Sequence, residues 1–209
     1  MSISGILSTG YRAVLVNEKW EIVPPKKETP IDPILNDIQR ALKANFHFLA
    51  LAMALALPDI CACLESATGH NMGRSTEAYK KWFDANLVHQ FNDLTADDCY
   101  RLRCGVLHQG NFSHPNSRYD HIVFMPPNRS PRYTKDIVVT MAPGVAFGSV
   151  QGRILHIEVV WFCQLLTGAV CRWLAAKAAD ATVQANLPNL VRLRPEGLPP
   201  HIVGVPLIA

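Results

Sequence analysis

Residues 31–57, IDPILNDIQRALKANFHFLALAMALAL, set the expected fold. Ile34, Leu35, Ile38, Ala41, Leu42, Asn45, Phe46 and Leu49 recur with a period near 3.6, the pattern of a helix with a buried face. Asp32 is the expected N-cap, and Pro33 the first helical residue, where a missing N–H costs nothing. The second half, FLALAMALAL, is apolar all round and must be covered on most sides. Pro58 is expected to break or kink this helix, because it removes a backbone donor. Asp59–Ser66 then resumes as a second helical piece.

Upstream, YRAVLV and WEIV flank a polar turn and suggest a β-hairpin, with a frayed arm as the alternative. Residues 24–33, PPKKETPIDP, form a linker that proline and charge keep irregular. Downstream, residues 75–88 read as a helix capped by Ser75, with Tyr79, Trp82, Phe83 and Leu87 facing inward. Two strands are expected at 118–125 and 136–141, joined by PPNRSPRYTK as a hairpin. Residues 150–179 read as one last helix. The proline-rich end, 180–209, is too interrupted for long elements, and its apolar HIVGVPLIA suggests docking on a surface or a second subunit.

The chain is therefore expected to be mainly α: an arm or hairpin and linker over 1–30, a helical bundle over 31–179 with a β-hairpin insertion near 118–141, and a tail over 180–209. With 209 residues, 49% apolar and 18% charged, it can bury one substantial core. No basic region and long apolar run open the chain, so no signal peptide is expected. Phe46–Leu57 is shorter than the ~20 residues of a membrane span, and charged or polar residues interrupt Ile154–Ala176. The expectation is a cytoplasmic protein with no membrane contact. The six cysteines sit in apolar helical stretches and read as small buried hydrophobes in a reducing compartment.

Residues 95–111, TADDCYRLRCGVLHQGN, hold the candidate chemistry. Thr95 and Asp98 approximate a capping box, Asp97 and Asp98 suit the first turn, and Gly110 suits a C-terminal stop. Arg103 and His108 are five residues apart, so on an ideal helix they diverge by roughly 140°. On such a helix they converge on one ligand only at a helix end or through a second copy of the segment.

LPDICACLES, YKKWFDANL and TADDCYRLRCGVLHQGNFSHP together resemble the HEPN superfamily (higher eukaryotes and prokaryotes nucleotide-binding), whose members carry an R-x-x-x-x-H pair late in a helical bundle. Cys104 follows the arginine where family members most often have Asn, Asp or His. Gly110 stands where one toxin subgroup has a modifiable Tyr. The resemblance implies a homodimer and a metal-independent endoribonuclease, with Arg103 and His108 catalytic and no cofactor. It also implies an RNA substrate, a role in toxin–antitoxin systems or phage defence, and an antitoxin or other partner protein.

The residue chemistry is compatible with that activity. Histidine takes and gives protons near neutral pH, and arginine forks onto phosphate oxygens. The alternative is a non-catalytic binding or scaffold protein, in which Arg103 and His108 only complement a helix C-terminus. An open His108 beside Arg103 favours catalysis, and a sealed one favours the scaffold. Arg101 is a candidate phosphate contact or a solvated side chain. Asp59 and Glu65 either orient the pair or serve as an N-cap and an exposed acid. Gln109, Asn111 and His114 either contact RNA or are loop polarity, and the basic residues of 118–135 either track phosphates or are solvated. His47 reads as a core histidine, and His70, His89, His121 and His156 lack metal-ligand spacing. No P-loop, G-x-G-x-x-G, H-E-x-x-H or G-x-S-x-G pattern occurs.

Overall fold

The computed structural model describes residues 12–16, 19–23, 28–70, 75–91, 93–112, 118–127, 137–141 and 152–209. Strands β1 (Arg12–Val16) and β2 (Lys19–Val23) pair antiparallel, which is the hairpin the two β-favouring runs predict. The rest of the described chain is mainly helical. It comprises α1 (Asp32–Lys43), α2 (His47–Leu64), α3 (Ser75–Leu87), α4 (Ala96–Cys104), α5 (Val159–Ala176) and α6 (Ala181–Asn186). Helix α2 is the hub: α1, α3, α4, α5 and α6 all pack on it. Leu51, Leu55, Leu57 and Cys61 of α2 are buried with Tyr79 and Phe83 of α3 and with Phe162 and Leu166 of α5.

The expected break in the first long helix is displaced. It falls at residues 44–46, not at Pro58. The amide of Phe46 donates to Ala41 O and that of Asn45 to Leu42 O, the two bonds of a Schellman stop. Asn45 takes φ +61°, a left-handed conformation that asparagine tolerates better than most residues. Pro58 lies inside α2, which continues to Leu64, so Asp59 sits mid-helix and is not an N-cap. Leu57 and Pro58 are buried, and packing there outweighs the loss of one backbone hydrogen bond. The expected cover is incomplete nearer the start of α2, where Phe48, Leu49 and Met53 are exposed.

The strands also differ from expectation. β3 (His121–Met125) and β4 (Ile137–Met141) do not pair with each other. β5 (Gly152–Glu158) lies between them, parallel to β3 and antiparallel to β4. The expected hairpin insertion is thus a three-stranded sheet, and the expected last helix begins as a strand. Within 154–159, the side chains of Leu155, Ile157 and Val159 are buried while Ile154, His156 and Glu158 are half-buried, a period of two that a helical reading overlooks. Helix α5 starts only where the Glu158 side chain accepts the amides of Val160 and Trp161.

The proline-rich end is docked through α6. Val183 and Leu187 are buried, and the Asn186 amide donates to Leu64 O and Ser66 O, two carbonyls at the end of α2. HIVGVPLIA itself stays largely exposed, with Val203 at 68% and Ile208 at 75%. Helices α2 and α5 are each 18 residues long and apolar enough to cross a membrane by length and composition. In this fold they pack against one another. All six cysteines are free thiols.

The stop at Asn45 has a cost that can be measured. Asn45→Val, a β-branched residue forced to positive φ, should lower unfolding free energy by about 1–2 kcal/mol in urea titrations. Asn45→Gly should leave it nearly unchanged, and equal losses in both would put the constraint elsewhere.

Candidate active site at Arg103 and His108

Helix α4 starts as the sequence predicts. The Thr95 hydroxyl oxygen accepts the Asp98 amide and the Asp98 carboxylate accepts the Thr95 amide, closing a capping box. Asp98 is buried and also takes the Arg118 guanidinium, which further donates to Asp93 O. Arg118 thereby anchors the start of α4, a structural role outside both alternatives, phosphate contact and solvation, offered for the basic residues of 118–135.

At its C-terminal end α4 changes pitch. Residues Gly105–Gln109 form a π-helical turn, and the amide of Gly110, at φ +66°, donates to Gly105 O five residues back. Hydrogen bonds that skip five residues widen the turn, which rotates His108 back toward the face of Arg103. The divergence expected between Arg103 and His108 is thereby reduced enough for the two side chains to meet within one chain. Arg103 Nη1 lies 3.0 Å from His108 Nε2. Guanidinium only donates, so Nε2 is the acceptor and the imidazole proton sits on Nδ1. His108 is exposed, while Arg103 is half-buried with 21% of its side chain accessible.

Asp59 stands behind the pair. Its Oδ2 lies 2.7 Å from Arg103 Nε across the α2–α4 contact. The charges are close but poorly aligned, for neither Nε nor the Asp59 oxygens make a well-directed hydrogen bond among the described residues. Burial pushes the Asp59 carboxyl above its usual range, and attraction to Arg103 only partly offsets this. At Arg103 burial acts downward, but the Asp59 charge, helped by Cys104 and Tyr100, more than offsets it and the net shift is upward. Arg103 Nη1 also lies 3.9 Å from Cys104 Sγ. Its Nη2 has no hydrogen-bond partner among the described residues.

The other sequence candidates are placed apart from the pair or tied down. Arg101 pairs with Asp97, which also receives Lys80 from α3; these contacts, the Lys80 hydrogen bond first, hold the Asp97 carboxyl below its usual range. Glu65 accepts from Trp173 Nε1 at 2.9 Å and pairs with Lys177 at 3.2 Å, so it anchors the end of α5 and does not orient Arg103. Gln109 and Asn111 are exposed beside His108, and His114 lies outside the described residues. Among the described residues no group of His, Cys, Asp and Glu side chains is arranged to hold a metal ion. Sequence reasoning missed the Lys80–Asp97–Arg101 cluster, although the Asp97/Arg101 half has readable i,i+4 spacing.

No protein-family model, curated protein or solved structure matches the chain. The chemistry assigned to the site therefore rests on its own geometry.

The raised pKa of Asp59 fixes the sign of a pH effect. Its folded value lies above the unfolded one, so the contribution to stability is complete below the ordinary carboxylate range. It is lost as pH rises through the folded value. Asp59→Asn, a neutral near-isostere, should gain stability relative to wild type between about pH 3 and about pH 7, read by urea unfolding at each pH. The opposite trend would mean that attraction to Arg103 outweighs burial.

Proposed function

We propose that the chain is a metal-independent endoribonuclease of HEPN type, with Arg103 and His108 as its catalytic residues. The supporting observation is an exposed imidazole whose Nε2 lies 3.0 Å from a guanidinium that is backed by a carboxylate. A scaffold protein has no need of an open His108. Arg103 keeps its proton throughout and offers Nη1 and Nη2 to the oxygens of the scissile phosphate. As the guanidinium turns to the phosphate, His108 Nε2 is released to take the proton of the adjacent 2′-hydroxyl. The 2′-oxygen attacks phosphorus, the bond to the 5′-oxygen breaks, and the imidazolium returns a proton to that oxygen. The products are a 2′,3′-cyclic phosphate and a 5′-hydroxyl. Asp59 touches no substrate in this scheme; it positions Arg103. Cys104, where the family usually has a polar residue, contacts Arg103 through sulfur and leaves Nη2 for phosphate.

The homodimer implied by the resemblance has a different role in this scheme. One chain already assembles its own Arg–His pair, so a second copy would set two sites side by side. Cytoplasmic action in toxin–antitoxin systems or phage defence, held in check by a partner protein, follows from the resemblance.

The test is RNA cleavage by purified protein in excess EDTA. Wild type should cleave, and Arg103→Ala and His108→Ala should each lose about 10²–10⁴ in rate, with circular dichroism verifying that each variant folds. No cleavage of varied RNAs by wild type would favour the scaffold reading. Equal cleavage by all three proteins would place the site elsewhere.

A further inference from the structure

A cavity of about 340 Å³ adjoins the pair, and Asp59 is its shared wall. Thr68, His70, Asn186 and Asn189 contribute polar groups to its lining, and Ile60 and Leu190 apolar surface. The cavity joins distant parts of the chain. The 68–70 segment follows α2, while Asn186 and Asn189 lie at the end of α6 and in the 3-10 turn after it. Asn186, His70 and Asn189 have hydrogen-bonding capacity to spare. The Asn186 Nδ2 is consumed by Leu64 O and Ser66 O, which leaves Oδ1 as an acceptor. Gly69, at φ +70°, keeps that oxygen uncrowded: a Cβ there would lie 3.2 Å from Asn186 Oδ1. The Thr68 hydroxyl bonds the backbone of His70 in both directions and so fixes that turn. The side chains of His70 and Asn189 are exposed and carry no hydrogen bond among the described residues.

We propose that this cavity is a base-binding subsite, resting on the ribonuclease reading, which takes one nucleobase beside the phosphate held by Arg103. Its volume lies at the lower end for ligand pockets, so it suits a single planar ring system and not a peptide. Apolar surface interspersed with a few donors and acceptors is what an unstacked base requires. The anionic wall at Asp59 is neutralised by Arg103, so the phosphate is held on the Arg103 side and the uncharged base on the other. The subsite would give the enzyme a base preference at the cleaved step.

The probes are the four nucleoside 3′-monophosphates, titrated calorimetrically into the full chain beside inorganic phosphate. At least one nucleotide should bind more tightly than phosphate alone. The His70→Ala/Asn189→Ala double variant should lose about tenfold of that affinity and leave phosphate binding unchanged, since two weak hydrogen bonds are removed. Leu190→Trp, which fills the cavity, should give the same loss by a different route, with circular dichroism verifying the fold. Wild-type affinity for all four nucleotides in both variants overturns the subsite, as does absence of any nucleotide preference over phosphate. Cleavage of mixed-sequence RNA separates the two ideas. If the variants cleave with wild-type base preference, the subsite falls and the ribonuclease stands. If nucleotides bind through the cavity but wild type cleaves nothing, the ribonuclease falls and the base site stands.

Discussion

An apolar helix that carries one carboxylate in its middle organises this protein. Helix α2 buries most of its apolar residues from Ala50 onward, and five other helices pack on it. Asp59 cannot be treated in the same way, because a carboxylate among apolar side chains needs a counter-charge. Helix α4 supplies it through Arg103, and that contact decides where the candidate chemistry lies. The far end of α2 imposes a similar demand. Its last carbonyls need donors, and the amide of Asn186 meets it, which draws the proline-rich end of the chain onto the bundle.

Arg103 is the meeting point of these demands. Nε faces Asp59, Nη1 faces His108 and Cys104, and Nη2 remains. A guanidinium can divide itself in this way because its donors form a rigid fork; a lysine in the same place would offer one compact charge. The carboxylate holds the arginine in place without saturating it, since their alignment is poor. That leaves Arg103 anchored on one side and available on the other.

Much of the bundle was legible in the sequence, and specific residues explain what was not. The buried face of α3 and the capping box of α4 follow from local patterns, because spacing and capping chemistry act within a few residues. Pro58 misled because burial of Leu57, Pro58 and Cys61 overrides one lost backbone bond, whereas Asn45, an ordinary polar residue by composition, ends the helix through its backbone conformation. Residues 152–158 misled because a short apolar run fits helix and strand alike, and only pairing with β3 and β4 decides. Arg103 and His108 were legible as residues but not as neighbours. Asp59 was legible as a candidate, but its partnership with Arg103 across 44 positions had no local signal.

The π-helical turn also changes how this segment should be aligned with others. In an uninterrupted α-helix, an arginine and a histidine four apart share a face; here the same juxtaposition is reached at a separation of five. The two spacings are spatial equivalents that differ by one residue of chain. An alignment that forbids gaps inside helices would force them out of step, setting the histidine of the other chain beside Leu107. Correct correspondence requires the gap to fall within Gly105–Gln109, where the helix itself absorbs the extra residue.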